Sequence, residues 1–172
     1  VADTIIDGGG HDALISFLFS HDVTSQRVGA SGVANLCTHS RHQQTLIDAL
    51  EPLQLLARAD NTELDIRRLS MLGIANLASC FGNHNEFVSQ GSIPMLMSFS
   101  DSADAELRDL AALALAELSR NSDMAEVITN DGGLNAVLYL ARSDYRHVQR
   151  QVLPALTVLS FLDCNKSAIC AN

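Results

Sequence analysis

The chain has 172 residues, of which 47% are hydrophobic and 18% charged, a balance typical of folded proteins rather than disordered ones. Its formal net charge of −9 repels phosphate backbones and anionic lipid headgroups, which argues against nucleic acid as a partner. No apolar run reaches the roughly eighteen residues that a membrane-spanning helix needs, so we expect no direct membrane insertion.

The predicted helices recur with a period of 41 residues, and the register needs no gap. Three columns of apolar residues share this spacing: Leu36, Leu77, Leu118 and Leu159; Leu14, Leu55, Leu96 and Val137; and Ile5, Leu46, Phe87 and Ile128. A fourth column holds a small residue that lets a neighbouring helix come close: Gly32, Gly73, Ala114 and Ala155. A unit of this kind cannot bury its apolar side alone, so the units are predicted to stack.

Each unit is predicted to contain three helices. A short helix is expected over residues 40–49, in the first repeat; a middle helix follows over 53–59 and a long amphipathic helix over 62–79. A glycine column separates the short and middle helices: Gly9, Gly91 and Gly132, with Leu50 in the second copy. A column of favoured N-cap residues precedes the long helices: Ser20, Asn61, Ser102 and Ser143.

These patterns predict an all-α protein, a right-handed superhelix of about four three-helix repeats in one domain spanning residues 1–172. The expected repeats cover residues 8–48, 49–89, 90–130 and 131–172. Neither end shows a polar capping repeat, which stacked arrays need for solubility. We therefore expect a fragment of a longer array, or a chain whose ends are covered by a partner.

Two segments of the repeat resemble the armadillo family. Residues 91–96 (Gly-Ser-Ile-Pro-Met-Leu) resemble the start of the armadillo middle helix, and residues 72–78 (Leu-Gly-Ile-Ala-Asn-Leu-Ala) resemble its third helix, with an echo at residues 30–37. HEAT repeats are the near alternative at this period, but they use two helices and lack the glycine-punctuated short helix. The resemblance covers the whole chain and implies an armadillo-type solenoid whose third helices line a concave groove.

The resemblance also implies which side chains face a partner. The expected groove residues are Arg27, Ser31, Asn35, Arg68, Leu72, Asn76, Leu113, Glu117, Arg150, Val158 and Phe161. An Asn amide offers a donor and an acceptor, so Asn35 and Asn76 are expected either to hold the backbone of an extended peptide or to bond a neighbouring part of the chain. The importin-alpha branch has a Trp four residues before each Asn, whereas this chain has no Trp, which argues against nuclear import.

The second half of the expected groove is more apolar than the first. Its apolar strip comprises Leu72, Leu113, Pro154, Val158 and Phe161, and such a strip can receive an amphipathic helix unless these side chains turn into the core. Three arginines (Arg27, Arg68 and Arg150) are expected either to meet acidic partners or to stay solvated. Pro154 is expected to kink the fourth long helix or to mark an altered repeat.

Motifs for catalysis and for cofactors are not found in the sequence. No glycine-rich phosphate loop or metalloprotease motif occurs, and we expect no enzyme activity, small-molecule substrate or cofactor. Cys37, His39 and His42 have a spacing that comes nearest to a metal site, yet Cys37 and His39 point apart on a helix. The four cysteines contain no C-x-x-C pair, which favours reduced thiols and an intracellular, cytoplasmic setting.

The sequence therefore predicts an interaction scaffold that binds a peptide or helix of another protein along the groove of its third helices. The alternative is a structural component of a large cytoskeletal, axonemal or membrane-tethered assembly, which uses its ends and its convex face.

Overall fold

The structure is a computed structural model that describes residues 2–142, 144 and 146–170, and within these ranges the chain is α-helical with no β-strand. Its contacts divide into two compact units, Val1–Gln90 and Gly91–Asn172. The division falls next to the expected repeat boundary between residues 89 and 90. The expected single domain and its repeat bounds stay predictions, and each unit is described by itself.

The first unit contains six α-helices among its described residues. In chain order they are α1 (Ala2–Asp7), α2 (Gly10–Leu18), α3 (Val23–Cys37), α4 (Leu50–Arg58), α5 (Leu64–Ala78) and α6 (His84–Ser89). The long helices α3 and α5 pack against each other, while α2 packs against α3 and α4 against α5.

The described part of the second unit likewise has six α-helices. They are α7 (Ser92–Phe99), α8 (Ala105–Leu118), α9 (Ser122–Asn130), α10 (Leu134–Ala141), α11 (Arg146–Ser160) and α12 (Asp163–Cys170). The long helices are α8 and α11, which pack against each other and against α10. The bounds of α11 include Pro154, so this helix continues through the proline.

The glycine column makes the turns between short and middle helices. Gly9, Gly91 and Gly132 have φ angles of 71°, 66° and 86°, a left-handed conformation that a side chain disfavours. The second copy has Leu50 at this position and no such turn. The short helix before it, predicted over residues 40–49 at the end of the first repeat, is instead two 3₁₀ turns (Ser40–His42 and Ile47–Ala49), and the second leads directly into α4.

Most residues of the predicted apolar columns are buried, but Leu14 is half-buried, Ile5 is 36% exposed and the most exposed member is Leu55. It is 51% exposed, whereas Leu53 is fully buried and Leu56 is 6% exposed. The absence of the glycine turn is the reason, because α4 begins at Leu50 and a different set of its residues faces the core.

The predicted N-caps of the long helices are displaced by two residues. Asp22 and Asp104 are the capping side chains, and they accept from the amides of Ser25 at 2.8 Å and Leu107 at 3.0 Å. Ser20 and Ser102, which were expected in this role, instead accept from the amides of Asp22 and Asp104. They form the turn that precedes the cap, and each long helix begins later than expected. The fourth expected cap, Ser143, lies outside the described residues.

Side chains from the following segment satisfy the carbonyl groups at the ends of three long helices. Gln43 donates to the carbonyl of Cys37, His84 to that of Ala78, Asn83 to that of Leu77 and Asn165 to that of Leu159, at 2.8–3.1 Å. In each case the donor lies six residues after the acceptor. These buried bonds fix the angle at which the chain leaves the long helix, because helix-end carbonyls need partners outside the helix.

Candidate protein-interaction site

Asn76 joins the two long helices of the first unit. Its side-chain Nδ2 donates to the backbone carbonyl of Ala34 at 3.1 Å. That carbonyl lies near the end of α3. The amide of Thr38 does not donate to it but to the backbone carbonyl of Asn35. Asn76 therefore bonds a neighbouring part of the chain, which is one of the two roles expected for the Asn side chains. Its contact with a peptide stays a prediction.

Arg27 also connects α3 with the start of α5. Its Nε lies 2.6 Å from Asp65 Oδ2, and its Nη2 donates to the carboxylate of Glu63. The hydrogen bond from Arg27 lowers the pKa of Asp65, and the bond to Asp65 raises the pKa of Arg27. The charge of Arg27 is thus already matched by two carboxylates within the first unit.

A recess of about 510 Å³ lies beside α3 in the first unit. We call it the α3 recess; its lining residues are Ile5, Leu14, Arg27, Val28, Ser31, Gly32, Asn35 and Leu36. It brings together three expected site residues, namely Arg27, Ser31 and Asn35. The other three in this unit, Arg68, Leu72 and Asn76, are half-buried on α5.

The second unit exposes an apolar stripe at the end of α11. Pro154 and Val158 lie four residues apart on one side of α11, and Phe161 follows directly after the last residue of this helix. Phe161 is 77% exposed, Pro154 is exposed and Val158 is half-buried. Leu113, on the adjacent helix α8, is also half-buried. The side chains of this apolar stripe are accessible to a partner.

Two charged site residues of the second unit differ in environment. Glu117 has a side chain only 13% exposed and pairs with Arg120 at 2.7 Å. Arg150 is exposed on α11. Glu117 is thus held by a neighbour on its own helix end, whereas Arg150 can meet solvent or a partner.

A smaller hollow of about 180 Å³ in the second unit is lined partly by Arg108 and Tyr139. Arg108 Nε donates to the Tyr139 hydroxyl at 3.3 Å, and Nη1 donates to the carbonyl of Ser102 at 3.0 Å. The bond to Tyr139 raises the pKa of Arg108. These contacts brace the turn before α8.

Among the described residues, no three His, Cys, Asp or Glu side chains converge as a metal-binding group. Cys37 is buried, and burial raises the pKa of its thiol to about 12, so the thiolate is scarce at neutral pH. No described helix combines the length and the apolar character needed to cross a membrane.

Two groups of residues were missed by sequence reasoning. The first comprises the apolar lining of the α3 recess, including Val28 and Gly32, whose accessibility depends on what packs beside α3. The second comprises the donors to the helix-end carbonyls. The recurrence of Asn83 and Asn165 at the same position of two copies is a signal that could have identified them.

Comparison with solved structures shows an armadillo-like repeat fold. A designed armadillo repeat protein is 23% identical over 92% of this chain and 68% of its own, with a TM-score of 0.79. A second one, in complex with the peptide (KR)4, has 23% identity, coverage of 92% and 67%, and a TM-score of 0.76. An engineered protein has 24% identity, coverage of 92% and 39%, and a TM-score of 0.80.

The chain spans 66% and 39% of the length of two engineered proteins that it resembles. No protein-family model matches the sequence. No curated protein matches it either. At these identities the similarity shows the fold, and the expected all-α repeat architecture is confirmed.

Proposed function

We propose that this protein is a non-enzymatic scaffold that binds a segment of another protein, with the apolar stripe of α11 as its main contact. The observation that carries the proposal is the 77% exposure of Phe161 next to Pro154 and Val158. Exposed aromatic and aliphatic side chains at helical spacing are a common anchor for an amphipathic helix or an extended apolar segment.

The net charge of the chain indicates which partner segments it favours. The net charge of −9 attracts basic partners over a distance set by the ionic strength. Arg27 adds little attraction for acidic partners, because Glu63 and Asp65 already pair with it. The favoured ligand is therefore a segment with apolar anchors and a net positive charge. The solved complex of a designed armadillo repeat protein with the peptide (KR)4 gives a precedent for basic ligands on this fold.

The remaining expected groove residues, including Asn35, Arg68 and Leu72, belong to the proposal as secondary contacts. Asn76 has a structural role in holding α3 to α5, so its replacement would confuse a binding test. The test should therefore act on Phe161.

The experiment selects binding peptides from a displayed random library on the 172-residue chain and measures their affinities by biolayer interferometry. Phe161→Ala is expected to weaken binding at least tenfold, because an aromatic anchor typically contributes more than about 1.4 kcal/mol. Phe19→Ala is the matched control, since Phe19 is 59% exposed and directly follows the last residue of α2, as Phe161 follows that of α11. Equal affinities for both variants would refute the stripe as the binding site and favour the assembly-component alternative.

A further inference from the structure

The hollow of about 180 Å³ in the second unit lies between helices of two successive copies. We call it the α8 hollow. Its walls come from the two residues that follow α7, from α8 and from α10, and α8 packs against both of the other helices. None of its lining residues belongs to the apolar stripe of α11. The hollow and the stripe are therefore separate surfaces of the second unit.

Small residues at two positions open the α8 hollow. Ala112 stands 41 residues after Met71, which is fully buried. Ala136 stands where the two preceding copies have Gln54 and Met95, which are 2% and 4% exposed. Protein interiors are normally close-packed, so the missing side-chain volume leaves an open space. Its floor is apolar, because both alanines line it.

Three oxygen-bearing side chains line the same hollow. The hydroxyl of Ser100 is buried, and no residue that the structure describes forms a hydrogen bond with it. Asp101 is exposed, and no described basic side chain pairs with its carboxylate. Asn135 is exposed on α10 and adds an amide oxygen. Since a buried hydroxyl without a partner costs free energy, a ligand that donates hydrogen bonds here gains stability.

The charges around the hollow favour a cation. Arg108 also lines it, but its Nε donates to the hydroxyl of Tyr139. This bond, and then the charges of Asp109 and Asp104, raise the pKa of Arg108. Together with Asp101, the carboxylates in these surroundings outnumber the one guanidinium. A positively charged ligand is therefore attracted and an anion is repelled.

We propose that the α8 hollow binds a lysine side chain of a partner protein, with the ammonium group between Ser100, Asp101 and Asn135 and the methylene stem on Ala112 and Ala136. An ammonium group has three N–H donors and no acceptor, which matches three oxygen-bearing side chains. Lysine stems pack on apolar surface while the charged end stays in a polar environment. Pockets for whole small molecules enclose roughly 300–1,000 Å³, so a hollow of about 180 Å³ suits a single side chain.

Other side chains fit this hollow less well. An arginine of a partner gains most by stacking on an aromatic ring, but the Tyr139 ring already has the guanidinium carbon of Arg108 at 5.3 Å from its centroid. A carboxylate would lie beside the carboxylate of Asp101, and an apolar side chain would leave the hydroxyl of Ser100 unpaired. Lysine satisfies both the charge and the hydrogen bonds.

The test is an NMR titration of the ¹⁵N-labelled 172-residue chain with the peptide acetyl-Gly-Lys-Gly-amide. The amide signals of Asn135 and Ala136 are expected to shift and to saturate, with a dissociation constant on the order of 1 mM for a single side chain. Two further peptides have norleucine or glutamate in place of the lysine; the first keeps the stem without the charge, and the second reverses the charge. Neither should shift these signals. Equal shifts with either peptide, or no saturable shift with lysine, would overturn the proposal.

Three variants assign the binding to the hollow. Asp101→Asn should weaken lysine binding at least fivefold, whereas Glu126→Gln, at an exposed carboxylate of α9 outside the hollow, should leave it unchanged. Ala112→Met fills the hollow with the side chain that the preceding copy has, and should abolish the shifts while the rest of the spectrum stays native. Wild-type affinity in Asp101→Asn would refute the site. Phe161→Ala alters only the stripe, so an unchanged lysine titration in that variant separates this result from the fate of the proposed function.

Discussion

The side-chain amide of Asn76 lies 3.1 Å from the backbone carbonyl of Ala34 and joins the two long helices of the first unit. Replacement of Asn76 by Ala removes a donor from a helix-end carbonyl and is expected to lower the free energy of unfolding by about 1 kcal/mol. Urea denaturation followed by circular dichroism measures the change. Asn35→Ala is the control, because Asn35 holds the equivalent position of α3 and is exposed. Equal losses in both variants would show that the interhelical bond contributes nothing measurable.

The glycine turns give a second prediction. Gly91 has a φ of 66°, so Gly91→Ala should lower the free energy of unfolding by about 1 kcal/mol, although space for the Cβ is open. Gly82→Ala is the matched control, because its Cβ would meet only ordinary contacts at 3.5 Å or more and its φ is not positive. The control should be neutral or slightly stabilising. A neutral Gly91→Ala in the same urea titration would contradict the role assigned to the turn.

The position of the N-cap can be tested on α8. Asp104→Ala should lower the unfolding free energy by about 1 kcal/mol, because the amide of Leu107 loses its acceptor. Asp104→Asn retains an acceptor oxygen and should retain most of the stability. Thermal melting of the two variants distinguishes capping from a purely electrostatic effect, which the Asn variant would lose as well.

The ion pair between Arg27 and Asp65 predicts that the free energy of unfolding falls in acid. The folded-state pKa of Asp65 is lowered from its ordinary value of 3.8. The ion pair therefore contributes to folding stability at pH values above 3.8. The contribution is lost as the pH falls through the ordinary value towards the lowered one. Asp65→Asn should make the loss of stability in acid shallower, as measured by urea unfolding at several pH values. Asp48→Asn, at another exposed carboxylate, is the control. Identical acid profiles for wild type and Asp65→Asn would count against the pair.

The cysteines should differ in reactivity. Burial raises the pKa of the Cys37 thiol to about 12, whereas Cys164 is exposed. Iodoacetamide at neutral pH should therefore modify Cys164 quickly and Cys37 only after unfolding. Peptide mass spectrometry over a time course gives both rates. Rapid labelling of Cys37 in the native protein would indicate that the end of α3 opens easily.

The repeat period and the helical class could be predicted from the sequence, because apolar side chains at a regular spacing must face a common core whatever their neighbours. The left-handed turns at Gly9, Gly91 and Gly132 were equally predictable, since glycine adopts positive φ without a steric penalty. Leu55 shows the limit of this reasoning. A column position implies burial only if each copy enters its middle helix through the same turn, and the second copy lacks the left-handed glycine turn of the other three.

Tertiary structure alone decided which side chains are accessible. Asn35 and Asn76 hold the same position of successive copies, yet the side chain of Asn76 donates to the Ala34 carbonyl, whereas Asn35 is exposed and lines the α3 recess. Arg27 is likewise matched by Glu63 and Asp65 from the next repeat, a partnership that spacing did not reveal. Local pattern determines which way a helix turns its apolar side, but accessibility depends on the helix that packs against it.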